Sequence, residues 1–172
     1  IERHETILSG DIGVEDDETD NCYHVFYHPE EIKLKSTAVL DGVTISSGNA
    51  NGPYSEKQHS GGGMYNIESN PTLINCTFTA NHKGSLSNRV CDPQVIDCKF
   101  IDNPGDGMYN IGSSPTVTGC TFIGNTYSGM DNGYSSRPSV SNCRFIGNGK
   151  GMANGDYCDS RVSNCIFSGN TN

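Results

Sequence analysis

The feature that most limits what this chain can fold into is one sentence written five times. Met64, Leu86, Met108, Met130 and Met152 stand 22 residues apart, and so do Asn66, Asn88, Asn110, Asn132 and Asn154. A second group runs Cys76, Cys98, Cys120, Cys143 and Cys165, with Phe78, Phe100, Phe122, Phe145 and Phe167 two residues further on. Asn81, Asn103, Asn125, Asn148 and Asn170 close that group, and Leu73, Val95, Val117, Val140 and Val162 complete the apolar set. The second group steps by 22, 22, 23 and 22: one extra residue lies between Asn132 and Pro138, and a shorter link from Asn148 to Met152 restores the register. Regularity of this kind marks stacked copies of one small structural unit.

A 22-residue period is too short for the common helical repeats, and the Leu-x-x-Leu-x-Leu pattern of leucine-rich repeats is missing. Each copy instead holds three strand-sized pieces, in the third copy Gly107 to Tyr109, Pro115 to Thr118 and Cys120 to Ile123. Cys120 and Phe122 lie two apart and share one face of a strand, with Thr121 on the other. Three short strands separated by bends make one triangular turn of a parallel β-helix, and stacking at ~4.8 Å sets each column residue over its counterpart. Met, Val, Cys and Phe then form a narrow core that no single coil could bury alone. The Asn columns are expected at the bends, in left-handed backbone and bonded amide to amide. Gly61, Gly62 and Gly63 allow close backbone paths.

The first sixty residues are less regular. Thr6 to Ser9 and Tyr23 to Tyr27 read as strands, and Val39 to Ile45 as a degenerate coil with Val43 and Ile45 in the Cys and Phe positions. The expectation is a single domain: irregular coils over 1–60, with an acidic loop at 11–20 and a projecting polar insertion at 51–60, then five regular coils over 61–172. That makes an all-β parallel β-helix of about seven coils.

Composition closes several routes. The net charge of −9 and the absence of a basic stripe argue against nucleic acid. No apolar run approaches the ~18 residues of a membrane span. The start, Ile1-Glu2-Arg3-His4-Glu5, carries neither Met nor an export signal, and the expectation is a mature or excised piece.

Eight cysteines suggest a disulfide framework. Five of them form an inward column, however, whose side chains point the same way, so reduced thiols acting as small apolar groups are expected. Cys91 and Cys158 occupy equivalent bends three coils apart, too distant to pair. The acidic loop, with Asp11, Asp16, Asp17 and Asp20, offers clustered oxygens of the kind Ca²⁺ takes, but lacks the spacing of a recognised calcium loop. A solvated loop is the alternative, and no other cofactor is implied. Cys22, His24 and His28 resemble zinc ligands, although an extended strand would hold Cys22 and His28 ~20 Å apart.

"GGGMYN", "SNPTLINCTF" and "FTAN" resemble repeats of right-handed parallel β-helix proteins of the pectin-lyase-like class. The five Phe-x-x-Asn tetrads are similar to repeats of chlamydial polymorphic outer-membrane adhesins, although Gly62-Gly63-Met64 only approximates their Gly-Gly-Ala-Ile. "TILSGDIG" and "STAVLDGVTISSGNANG" resemble the lead-in of large bacterial surface proteins. The resemblance implies the right-handed fold and an extracellular or cell-surface setting more firmly than any activity, because this fold hosts lyases, hydrolases, adhesins and scaffolds.

A glycosidase on such a scaffold needs two carboxyls ~5–10 Å apart across a groove, and a lyase needs a base beside bound Ca²⁺. Asp92 and Asp97 share a coil, as do Asp156 and Asp159, while Lys99 and Arg144 lie two coils apart. None of these forms a paired column, and Asp102 and Asp106 read as solvated turn residues. The outward series Thr77, Lys99, Thr121, Arg144, Ile166 is too broken for ice binding. The function expected is therefore non-catalytic: a rigid surface module that adheres or assembles end to end, or neighbours other domains of a longer array. A polysaccharide-binding, lyase or hydrolase role is the alternative, with Tyr65, Tyr109 and Tyr134 as exposed sugar contacts.

Overall fold

The computed structural model describes residues 5–15 and 17–172, and in them nineteen short strands line three parallel sheets. Face A holds Thr6–Ser9, Val43–Ser46, Thr77–Thr79, Lys99–Ile101, Thr121–Ile123, Arg144–Ile146 and Ile166–Ser168. Face B holds Phe26–His28, Met64–Ile67, Leu86–Arg89, Met108–Ile111, Ser128–Gly133 and Lys150–Asn154. Face C holds Val39–Asp41, Thr72–Ile74, Gln94–Ile96, Thr116–Thr118, Ser139–Ser141 and Arg161–Ser163. The chain visits B, C and A in turn, so every strand pairs with the strand one coil away, the arrangement of a parallel β-helix.

Register follows the sequence columns. Met108 pairs with Leu86 and Met130, Val117 with Val95 and Val140, and Phe122 with Phe100 and Phe145. The five phenylalanine rings form one stack with centroids 4.6–4.9 Å apart and planes within 10° of parallel. Ile45 pairs with Phe78 and continues that column into the irregular coil. Each inner position contributes little area alone; burial becomes complete only when coils cover one another.

The two asparagine columns carry the polar half of the interior. Along the first, Asn66 Nδ2 donates to Asn88 Oδ1, Asn88 to Asn110, Asn110 to Asn132 and Asn132 to Asn154, at 2.8–3.0 Å. The His28 ring meets Asn66 Oδ1 at 2.7 Å and ends the row. Along the second, the side-chain amides of Asn103, Asn125 and Asn148 each donate both to the next Asn and to a Phe carbonyl one coil back, as Asn125 does to Asn148 Oδ1 and Phe100 O.

One detail of the expectation is corrected. The ladder asparagines are not the left-handed residues; positive φ falls on neighbours such as Glu68, Asn75, Ala80, Val90, Asp97, Asp102, Asn142 and Asn164. The ladder amides must point inward to reach the next coil, so the sharp turn is made one or more residues away. The extra residue of the fourth coil is absorbed there too. Where other coils spend one left-handed residue at this corner, Tyr134 and Ser135 are both left-handed, at φ 49° and 64°. Ser136 then recovers the column, its Oγ accepting from Ser113 N–H at 3.2 Å.

The count of about seven coils was high. Five coils are regular, one irregular coil precedes them, and Thr6–Ser9 adds a lone rung to face A. The expected strand at Tyr23 to Tyr27 is displaced to Phe26–His28, because His24 is occupied elsewhere: its ring nitrogens lie 2.9 Å from Gly61 O and 3.0 Å from Lys57 O. Close backbone contact at this junction requires glycine. A Cβ on Gly48 would stand 1.8 Å from Gly62 O.

Candidate functional site

The outer side of face B is the surface with chemistry on it. Three outward positions per strand build a grid: two residues before the Met column stand Gly62, Gly84, Asp106, Ser128 and Lys150; one after it stand Tyr65, Ser87, Tyr109, Asp131 and Ala153; three after it stand Ile67, Arg89, Ile111, Gly133 and Gly155. The polar insertion 51–60 is exposed at Asn51 and over 53–56. It folds back over the N-terminal end of this grid, with the Tyr54 and His59 rings 4.1 Å apart and His59 edge-on to Tyr65 at 6.4 Å. Tyr65, expected to be exposed, is covered to 2% exposure by this arm. The neighbouring Tyr65 hydroxyl raises the Arg89 pKa, with burial opposing this and Tyr54 adding to it. Burial, then the nearby Arg89 cation, lowers the pKa of His59, whose Nδ1 is buried without a partner.

Two open clefts meet at Asp106, the first of them bordering the arm. One, of about 290 Å³, lies among Tyr54, His59, Lys83, Asp106, Tyr109 and Tyr134. The other, of about 340 Å³, lies among Asp106, Tyr127, Ser128, Asp131 and Lys150. Sharing Asp106, they make a groove along the outer side of face B, lined from the Tyr54 arm to Lys150. Rising ~4.8 Å per coil, it suits an extended ligand better than a compact one. Tyr134 is 73% exposed and Tyr127 60%, so aromatic faces flank the groove.

Its two carboxylates are perturbed. Burial pushes the Asp106 pKa up to about 6; the Ser128 N–H, donating to Oδ1 at 2.9 Å, opposes this, and Asp131 adds to it. Burial also raises Asp131, with Lys150 pulling back. Burial and then these two carboxylates raise Tyr109. Among the described residues, neither Asp106 nor Asp131 enters an ion pair. Asp106 is therefore not the solvated turn residue expected, whereas Asp102 is exposed. Asp131, Tyr127 and Lys150 were missed by sequence reasoning. The available signal was the outward slot beside each Met: read down the coils it goes Tyr, Ser, Tyr, Asp, Ala, and the slot two before Met places Asp106 next to that Asp.

The other expected positions are scattered. Asp92 Oδ1 accepts from Ser114 N–H at 2.6 Å in the turn from face B to face C, away from Asp97. Asp156 and Asp159 are exposed in the last such turn. The zinc set does not assemble: the His24 ring nitrogens face Gly61 O and Lys57 O, and His28 faces Asn66. All eight cysteines are free, Cys76, Cys98, Cys120 and Cys143 fully inside the column. In the acidic loop Glu18 reaches His82 Nε2 at 3.4 Å, while two aspartates serve the loop itself. Asp20 Oδ2 accepts from Val14 N–H at 2.9 Å, and Asp17 Oδ1 from Thr19 N–H at 2.9 Å and Thr19 Oγ1 at 2.6 Å. Asp16 lies outside the described residues. Among the described residues no group of three or more His, Cys, Asp or Glu is placed to hold a metal ion, so Asp11, Asp17 and Asp20 do not form the calcium cage considered from sequence. Among the described residues no helix is long and apolar enough to cross a membrane.

Against known proteins, a family model described as right handed beta helix region matches residues 16–133 and 63–172. No curated protein and no solved structure matches the chain.

Proposed function

From the premise that the chain belongs to the right-handed β-helix family, we propose that it is a non-catalytic binding module, working outside the cell, that holds an extended glycan along face B. The observation that carries this reading is the groove through Asp106, with tyrosines on its flanks and hydrogen-bonding side chains on its floor. Sugar rings present C–H faces to aromatics and hydroxyls to carboxylates and amides, and such sites combine apolar contact with a few placed polar groups. The stacked core holds those groups at fixed spacing, so little ordering remains to be done on binding. Attachment to a glycan-coated surface would make the module adhesive.

A glycan array followed by calorimetry tests this. Tyr109→Ala and Tyr134→Ala are each expected to weaken the selected glycan about tenfold, equivalent to ~1.4 kcal/mol, with the fold intact by circular dichroism. Binding that ignores both changes, or no glycan bound at all, would overturn it. One observation favours a second reading, hydrolysis: Asp106, its pKa pushed by burial up to about 6, lines one cleft with Asp131. Reducing ends released by the wild type and lost in Asp106→Asn would move the assignment there.

A further inference from the structure

The arm of residues 51–60 is held by ring contacts and a few hydrogen bonds rather than by a core. Its single helical turn, Tyr54–Glu56, buries none of its own residues. Lys57 pairs with Glu30 at 2.9 Å, Ser60 Oγ meets Ser87 Oγ at 2.7 Å, and the His24 ring lies 3.0 Å from Lys57 O. The tip depends on His59, whose ring sits 4.1 Å from that of Tyr54 and edge-on to Tyr65. A segment with so little buried apolar surface opens at low cost.

His59 suits this place only while neutral. Its Nδ1 is buried with no partner. A neutral ring can leave that nitrogen as a bare lone pair. A protonated ring makes it a buried N–H donor without an acceptor and adds a charge. The charged groups that act on the ring are Arg89, on a strand of face B, and His24, from the segment before Phe26–His28, and both carry the wrong sign when ionised. Lys83, Asp106, Tyr109 and Tyr134 line the cleft beside it. Glu56 is exposed on the arm, and Glu30 is already taken by Lys57. His24 follows the same direction, because burial outweighs the pull of the Gly61 and Lys57 carbonyls on its charged form.

Resting on the reading of face B as a glycan groove, we propose that residues 51–60 are an acid-released strap: a proton on His59 lifts Tyr54 and His59 off Tyr65 and Arg89 and removes one wall of the groove. Closed, the strap keeps the His59 pKa below its ordinary 6.5, by burial first and by Arg89 and His24 after it. Open, the ring returns to its ordinary value. The closed form is therefore favoured above that value and lost as pH falls through the lowered one, the balance shifting about tenfold per pH unit for the one proton taken up between them. A bound glycan then loses its contact with Tyr54 and is let go in acid, while Tyr65 is uncovered.

Nuclear Overhauser signals between the His59 and Tyr65 rings, followed on the intact chain from neutral pH into acid, read the strap directly, with the Asn103 and Asn125 amide signals as the monitor of the solenoid. In the wild type the ring signal is expected to fade while those amides keep their shifts. His59→Phe keeps the ring contacts but takes no proton, and should hold the strap closed throughout. Arg89→Gln removes a cation acting on His59 and should move the midpoint to higher pH. Acid should also weaken the glycan selected on the array about tenfold more in the wild type than in His59→Phe, a comparison in which Asp106 titrates in both proteins. A ring signal that persists in acid, one lost only together with the solenoid amides, or a His59→Phe strap that opens like the wild type would overturn the inference and leave the glycan reading standing. Equal acid losses of glycan in the two proteins would overturn the strap's control of the groove. An array that finds no glycan would remove the glycan reading, and the ring signals would still decide for or against the strap.

Discussion

Replacing Asn125 by Ala tests whether the interior depends on its amide rows or only on its apolar columns. The Asn125 side chain is 1% exposed and makes four hydrogen bonds: it donates to Phe100 O at 3.0 Å and to Asn148 Oδ1 at 2.8 Å, and its Oδ1 accepts from Asn103 Nδ2 at 2.8 Å and from Asn103 N–H at 3.4 Å. Alanine deletes all four. Asn148 Oδ1 keeps a donor, the Asn125 backbone N–H at 3.1 Å, but the Asn103 N–H, one Asn103 amide hydrogen and Phe100 O each lose a partner where water cannot reach. At ~1–3 kcal/mol for each orphaned buried group, with some relaxation, the cost comes to about 3–6 kcal/mol. Against a total of ~5–15 kcal/mol, that is a large share. Asn75, exposed, with its side-chain amide donating to Asp41 at 3.2 Å, is the control: alanine there should cost about 1–2 kcal/mol, set by its left-handed backbone. Urea unfolding followed by circular dichroism reads both. Asn125→Asp adds a pH signature. One oxygen of the new carboxylate would keep the two Asn103 donors, but the other would face two acceptors in a dry site, and burial with that repulsion sets its folded pKa above its unfolded one. The charge penalty is then absent below the unfolded value and grows as pH rises towards the folded one. An Asn125→Ala cost no greater than that of Asn75→Ala, or an Asp variant insensitive to pH, would refute the argument.

Asp106→Asn should stabilise the protein at pH 7 by about 1–2 kcal/mol, discounted for partial exposure, and leave it unchanged in acid. The sign follows because the folded pKa of about 6 exceeds the ordinary 3.8, so the native carboxyl loses stability as pH rises between them; calorimetric melting at both pH values checks it. Thiol titration should separate two classes: Cys76, Cys91, Cys98, Cys120 and Cys143 silent in the native protein, Cys22, Cys158 and Cys165 able to react, and all eight responding after unfolding.

The columns were legible in the sequence because a solenoid writes its core at fixed intervals, and the inner positions from Cys76 to Phe145 see the same buried surroundings. The asparagine rows were legible for the same reason. What sits between the columns was less so. The turn residues vary because any side chain that tolerates positive φ serves there, which is why Val90 and Tyr134 do the work expected of Asn. The fate of insertion 51–60 could not be read from its polarity, since its resting place depends on Arg89, His24 and Tyr65, each in a different coil. The Asp106 and Asp131 pairing was hidden because no column announces it: neither residue repeats, and only the three-dimensional register brings them together.

The doubled left-handed corner at Tyr134 and Ser135 has a wider consequence. An added residue enters the outer wall there while Val140, Cys143 and Phe145 still lie over the layer before. Because closing a longer surface loop costs only ~0.6 kcal/mol per doubling of its length, that corner is a natural graft point. Whole segments can be spliced into it, giving an engineer a rigid rod whose decorations change while its spine is left alone.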